Sequence, residues 1–357
     1  MKNLFAALAA VGLAAGSLGA QSAPTPKAAW VAPRTADGHP DLQGVWGNNG
    51  VTPMTRPKQW KGKASLTDGE VAELKGLLTK FARDGGDAIF ADFVQTALNI
   101  KDTGKYDQTS YDPTTGNYNQ FWMVGREWDN RTSLITDPPD GQMPPLTPEG
   151  KARQDLQASG RGTAVVVTGS ESGPRGRADG PEDRPLSERC ITYGVPRTGT
   201  GYNSYTQIVQ SPRTVVIEQE MIHDARLVPM DGRPHLAENV RQLHGDPRGH
   251  WEGDTLVVET TNFVNGFQGS TSKVRIVEKY TRASADYLNW SLTVIDPDTW
   301  TQPWTFMIRL KKAEGLLYEY ACHEGNYGMI GILAGARAEE GRGAKASPST
   351  ASKAEPR

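Results

Sequence analysis

Apolar and polar residues alternate almost without a break from Thr214 to Arg226. Val215, Ile217, Met221, Ala225 and Leu227 fall on one face with His223 among them, and Glu218, Glu220, Asp224 and Arg226 fall on the other. A period of two puts these sets on opposite sides of a sheet. The pattern therefore predicts a strand with a histidine on its inward, apolar face. Farther on, the turn Glu252-Gly253-Asp254 precedes the β-branched run Thr255–Phe263, which is a hairpin signal. Alternation resumes after Lys273. Val274, Ile276, Glu278 and Tyr280 share one face, and Ala283–Asp286 turns the chain. Leu288, Trp290, Leu292 and Val294 share the next face, which ends at Asp296-Pro297. Trp304, Phe306, Ile308 and Leu310 follow, and Lys311–Gly315 turns the chain into a further strand over Leu316–Cys322. Short strands at regular spacing predict a mostly β fold, an antiparallel up-and-down barrel or a sandwich, in which Thr214–Glu324 is one continuous sheet.

Helical spacing is confined to Ser65–Leu98. Thr67 and Glu70 form a capping box, and Val71, Leu74, Leu77, Leu78 and Phe81 recur at helical intervals before Gly85-Gly86. Ile89, Phe90, Phe93, Val94, Ala97 and Leu98 mark a second amphipathic stretch. The pair is a decoration packed outside the sheet or, alternatively, a lid over a cavity. Residues 106–148 are rich in aromatics, Pro and Asp, with one short strand at Ser133–Thr136 stopped by Pro138-Pro139. This aromatic loop, which contains Trp122, suits with Arg131 and Asp137 a binding mouth for sugars or aromatic rings, and equally a Trp-rich mini-core. The expected organisation is a region over 23–158 packed on the β domain, a flexible Gly-rich insertion over 159–185, an antiparallel β domain over 186–336, and a disordered tail over 337–357.

Residues 1–22 read as a secretory signal peptide: Lys2, an Ala-rich apolar stretch, then Ala20-Gln21-Ser22. A periplasmic or secreted protein follows, with no membrane span. Lys and Arg number 39 against 41 Asp and Glu, so nothing electrostatic favours nucleic acid. In an oxidising compartment, a disulfide is the simplest use of Cys190 and Cys322. A nucleophilic Cys beside His323 is the alternative.

Gly44-Val45-Trp46 resembles the Gly-x-Trp that opens the first strand of lipocalin-like barrels, where the Trp plugs the base. Asp231-Gly-Arg-Pro-His235, Trp251–Val258, Asp296-Pro297 followed by Pro303-Trp304, and Tyr318–Glu324 are similar to motifs of a large family of exported bacterial proteins. That resemblance spans Pro40–Glu340. It implies a secreted β-rich domain and specifies no chemistry. Where relatives carry Glu-Arg-Phe this chain has Glu278-Lys279-Tyr280, and Gly325 separates Glu324 from Asn326.

Glu278 on an apolar face needs a His, Arg or Tyr partner. His223, Glu278 and His323, with Glu324 and Arg226 close by, are expected to converge as a general acid/base site. Trp122, Arg131, Glu220, Arg226 and Trp251 are the expected substrate contacts. Gly-x-Ser-x-Gly, phosphate-cradling Gly loops and His-Glu-x-x-His are all missing from the sequence, so no cofactor is expected. His223, His235 and His323 meeting at a metal is the alternative. Two functions remain open: an enzyme performing elimination, hydration or isomerisation on a neutral aromatic, terpenoid or sugar-like molecule, or a non-catalytic binding protein for an apolar or glycosidic ligand.

Overall fold

The computed structural model describes residues 30–83, 93–105, 125–158 and 178–346. The signal-peptide reading of 1–22, Ile89, Phe90 and Trp122 lie outside the described residues, as does most of the Gly-rich insertion. The strands are β1 (Gly44–Gly47), β2 (Ile135–Asp137), β3 (Tyr205–Gln210), β4 (Thr214–Gln219), β5 (Ala225–Pro229), β6 (Asp246–Glu252), β7 (Thr255–Thr261), β8 (Arg275–Arg282), β9 (Tyr287–Ile295) and β10 (Trp304–Lys312). They pair antiparallel in the order β5-β4-β3-β1-β10-β9-β8-β7-β6, with β2 added to β10. Sequence neighbours are therefore spatial neighbours, and β1 joins the two halves. The result is a nearly closed antiparallel barrel of nine strands. It is the up-and-down barrel that the alternation predicts, rather than a sandwich.

Closure fails to be complete between β5 and β6, which share no ladder. Side chains fill that seam. A Cβ on Gly249 of β6 would lie 2.4 Å from Met230 Sδ and 2.8 Å from Val228 Cγ1. Glycine here lets two edges meet that lack backbone hydrogen bonds.

The inward face is as read for β8, β9 and β10: Val274, Ile276, Tyr280, Leu288, Trp290, Leu292, Val294, Trp304, Phe306, Ile308 and Leu310 are all buried in one core. Trp46 joins them, fully buried, with Nε1 donating to Leu42 O at 2.9 Å and the Arg282 guanidinium 5.0 Å from its ring. Register places this residue near one end of the barrel, beside Lys312 and the β8–β9 turn. The opposite end carries the β4–β5 turn and the segments 262–274 and 296–303.

Two expectations about the sheet and one about the tail need correction. The span from Thr214 to Glu324 is not a sheet by itself, because β1 and β3 separate β4 from β10. Leu316–Cys322 forms no strand, and Leu316 and Tyr318 are exposed. The edge of β10 is taken at its two ends, by β1 at Lys311 and Lys312 and by β2 at Thr305 and Phe306, and the short interval between is bonded by Leu134 and Arg131. Residues beyond Arg337 are helical rather than disordered as far as Ala346, within α4 (Tyr327–Ala346). Arg337 ties that helix to the carbonyls of Ala178 and Asp179.

Helices α1 (Asp68–Arg83) and α2 (Phe93–Thr103) pack on each other over a small core of their own, with Val71, Leu74, Leu78, Val94, Ala97 and Leu98 buried against Trp60. The capping box is present: Glu70 N donates to Thr67 Oγ1, and Thr67 N donates to Glu70 Oε2. Lys63, with these bonds, holds the Glu70 carboxyl down at about 2. Helix α3 (Pro148–Ala158) is pinned by Thr147 Oγ1, which donates to Asp298 O.

Cys190 and Cys322 are disulfide-bonded across 132 residues. No helix among the described residues is long and apolar enough to cross a membrane.

Replacing Gly249 by Val should drive a side chain into Met230 and Val228, at a cost of about 1–3 kcal/mol, typical of overpacking. Chemical denaturation of the variant checks this, and unchanged stability would mean that the β5–β6 seam is looser than it stands.

Candidate functional site

Burial decides which polar groups in the barrel can do chemistry. Arg226 and Glu278 lie inside it, with side-chain exposures of 1% and 0%. Glu278 Oε2 accepts from Arg226 Nη1. Its Oε1 accepts from Arg226 Nη2 at 3.0 Å, from Tyr280 OH at 2.7 Å and from Trp290 Nε1 at 3.1 Å. Burial works against the Arg226 charge, and the Glu278 carboxylate more than offsets it, so the guanidinium stays above its ordinary range. Burial and the same carboxylate push the Tyr280 hydroxyl well up. Three of these four bonds fall on Oε1 and one on Oε2, so the carboxylate is held from three side chains at once. Glu278 thus has the Arg and Tyr partners that its apolar face demanded, and it is fully buried.

The expected convergence of His223, Glu278 and His323 is not found. His223 is exposed, as are His323 and Glu324. Among the described residues no hydrogen bond or ion pair joins either histidine to Glu278. The cause is local. β4 stops at Gln219, and a 3-10 turn over Met221–His223 follows, with φ +56° at Ile222 and +43° at His223. Alternation restarts in opposite phase, so Arg226 and Val228 face inward while Ala225 and Leu227 face out. The disulfide does bring the His323 turn to the segment at Cys190, where Asn326 Nδ2 donates to Glu188 O at 2.8 Å.

The expected substrate contacts scatter. Arg131 is held by Asp129 at 2.6 Å and donates from Nη1 to Met307 O at 2.7 Å. Glu220 is half-buried; burial pushes its carboxyl up, against the Tyr205 N–H and the Asn203 side chain. Trp251 stacks on His39 with ring centroids 4.6 Å apart, near the end where Trp46 lies. Of the expected site residues that are described, the barrel brings together Arg226 and Glu278.

A different histidine has the more ordered surroundings. At the end opposite Trp46, Asp224 is buried beside the disulfide segment. Its Oδ2 accepts from Thr192 Oγ1 at 2.7 Å and from Tyr193 N at 3.1 Å. His244 Nε2 lies 3.0 Å from Thr192 Oγ1 and 3.3 Å from Asp224 Oδ1. The Thr192 proton goes to the carboxylate, so the hydroxyl oxygen is an acceptor. Nε2 must then carry the imidazole proton, and the lone pair of the neutral ring sits on Nδ1. Nδ1 has no partner among the described residues. The ring is thus oriented through Nε2. The arrangement is not a nucleophile triad, because Thr192 and Asp224 meet the same ring nitrogen. His235 differs: Nδ1 is 3.0 Å from Asp246 Oδ2 and Nε2 is 3.5 Å from Glu259 Oε1, so both nitrogens are occupied. Among the described residues, no three His, Cys, Asp or Glu side chains stand together as a metal set, so the histidine-cluster alternative has no geometry behind it.

His244 escapes sequence reading because it sits in irregular chain between strands, where no periodicity assigns a face. The signal that existed was Asp224, a carboxylate two residues before an inward Arg.

No protein-family model matches this chain, and neither a curated protein nor a solved structure matches it significantly.

If the Glu278 cluster is structural, Glu278→Gln should destabilise the fold by about 3–5 kcal/mol, the penalty for stranding a buried Arg. Tyr280→Phe should cost about 1 kcal/mol. His223→Ala, on an exposed turn, should stay within about 0.5 kcal/mol. Urea denaturation of the three variants tests the ranking; a Glu278→Gln protein as stable as the parent would contradict it.

Proposed function

We propose that the protein is an exported enzyme that moves a proton on a neutral small molecule, with His244 as the general base and Asp224 as the carboxylate that orients it. The supporting observation is the hydrogen-bond chain from buried Asp224 through Thr192 to His244 Nε2, which leaves Nδ1 with its lone pair and no partner among the described residues. A base so oriented takes a proton from carbon or oxygen, and in its protonated form returns one to another atom of the substrate. Elimination, hydration and isomerisation are the reactions that need nothing more, and a neutral aromatic, terpenoid or sugar-like molecule is the substrate class. A lyase or isomerase fits this chemistry. The disulfide supports an oxidising compartment.

The filled barrel interior bears on the alternative of a binding protein with a lipocalin-type calyx. Trp46, Trp290, Trp304, Phe306 and the Arg226–Glu278 pair occupy the space such a ligand would need. A binding role would therefore use the outside of the barrel.

Proton transfer to and from carbon leaves a record in heavy water. The protein is incubated in deuterium oxide with a panel of neutral phenols, terpenoids and glycosides, and products or recovered compounds are weighed by mass spectrometry. Deuterium gain or product formation is expected for one class, reduced about 10²-fold or more in His244→Gln. The melting temperature of that variant should barely change, since His244 is partly exposed. Turnover undiminished by His244→Gln would end this reading, and a panel without any turnover would favour a binding role.

A further inference from the structure

The wall of the barrel has a notch. β1 pairs with β10 only at Lys311 and Lys312, and β2 pairs with it only at Thr305 and Phe306. Between them β10 has no strand on that side. Arg131 and Leu134 partly cover the interval, through Arg131 Nη1 to Met307 O and Met307 N to Leu134 O. A shallow, solvent-open cleft lies over the notch. Its walls come from 48–52, 127–134, 198–200, and from Tyr287 of β9 and Ile308 and Arg309 of β10.

The polar groups of these walls are nearly all committed. Asn48 Nδ2 donates to Thr198 O and Gly199 O. Thr200 Oγ1 donates to backbone carbonyls of Asn48 and Gly50. Asp129 is neutralised by Arg131 at 2.6 Å, and Glu127 by Lys311 at 2.7 Å. Arg309 is the exception. Its guanidinium lies 3.8 Å from the centroid of the Tyr287 ring, and it has no carboxylate or hydrogen-bond acceptor among the described residues. Stacking on an aromatic face holds a guanidinium flat while leaving its N–H edge free, and that edge matches the two oxygens of a carboxylate. With the other charges paired, the cleft has one uncompensated positive charge beside Trp128, Tyr287, Leu134 and Ile308.

We infer that this cleft is a binding site for a small molecule with a single carboxylate on a flat, apolar body, the carboxylate meeting Arg309 and the body lying against Trp128 and Tyr287. The inference is independent of proton transfer at His244. It predicts binding, with or without turnover, and the site uses none of the atoms assigned to that reaction.

Benzoate, trans-cinnamate and 4-hydroxybenzoate serve as probes, with benzamide as the neutral counterpart of benzoate. Binding is followed by calorimetry and by Trp fluorescence on the full chain. At least one of the carboxylates should bind, the affinity should fall about 10-fold or more in Arg309→Gln, and it should weaken as salt is raised. Benzamide should bind at least about 10-fold more weakly than benzoate or not at all. Arg309 is exposed, so the variant should melt where the parent does. His244→Gln should leave the binding of these probes unchanged, which separates this site from the proposed catalytic one. Failure of all three carboxylates to bind at millimolar concentration, equal binding of benzamide and benzoate, or undiminished binding by Arg309→Gln would each overturn the inference.

Discussion

An arginine and a glutamate enclosed in a barrel of apolar side chains set the terms for the remainder of the molecule. Arg226 comes from β5, an edge strand with a ladder on one side only, and Glu278 comes from β8. Their ion pair crosses the interior and ties the incomplete edge of the barrel to its complete half. Neither charge tolerates burial without the other, and Tyr280 and Trp290 add two further donors to the carboxylate. The seam between β5 and β6 is thus held from within by this pair and from its rim by Val228 and Met230 over Gly249. Whether the pair adds net stability over an apolar filling is a separate matter; what it does supply is a fixed register, since a one-residue slip of β5 would turn Arg226 out and strand Glu278.

The same residues show how far sequence reading reaches. From β8 to β10 period-two alternation runs unbroken, and every inward residue read from it is buried. Glu278 was legible down to the type of partner it needs, because a charge on an apolar face has few ways to be satisfied. Parity failed at β5 for one reason: Ile222 and His223 adopt positive φ, which β-sheet alternation cannot contain and which neither residue type advertises. That one turn moved His223 from the core to solvent and Arg226 from solvent to the core. Leu316–Cys322 alternates as a strand would, but a strand also needs an edge to pair with, and β1 and β2 had taken it. Propensity is local, whereas the availability of an edge is a property of the whole sheet.

A filled interior has a consequence for function. Lipocalin-like openings suggest a calyx, and Trp46 is indeed buried near one end with Arg282 over its ring. Here, however, the inward side chains are large, and the buried charges are paired with each other. The two sites proposed for this protein both lie where the regular ladder stops: the end with Asp224 and His244, and the notch beside β10. Both are built from irregular chain, where backbone groups not used by a ladder are capped by side chains such as Thr192, Thr200 and Arg131.

Segment 190–200 connects these two places. Thr192 lies between Asp224 and His244, while Thr198 and Thr200 line the cleft six and eight residues later. The segment has no strand partner of its own. Cys190 anchors its start through the bond to Cys322, Arg197 N donates to Gln219 Oε1 at 2.8 Å midway, and Gln268 holds Thr198 Oγ1 at its far end. A loop fixed at three points by side chains, rather than by a ladder, can carry groups at spacings that strand geometry forbids. The disulfide closes a 132-residue loop and, in the chain-entropy model, stabilises by about 4–5 kcal/mol. Its position matters more than that sum. It holds in place the one stretch of irregular chain on which both the orienting hydroxyl of His244 and the wall of the cleft depend.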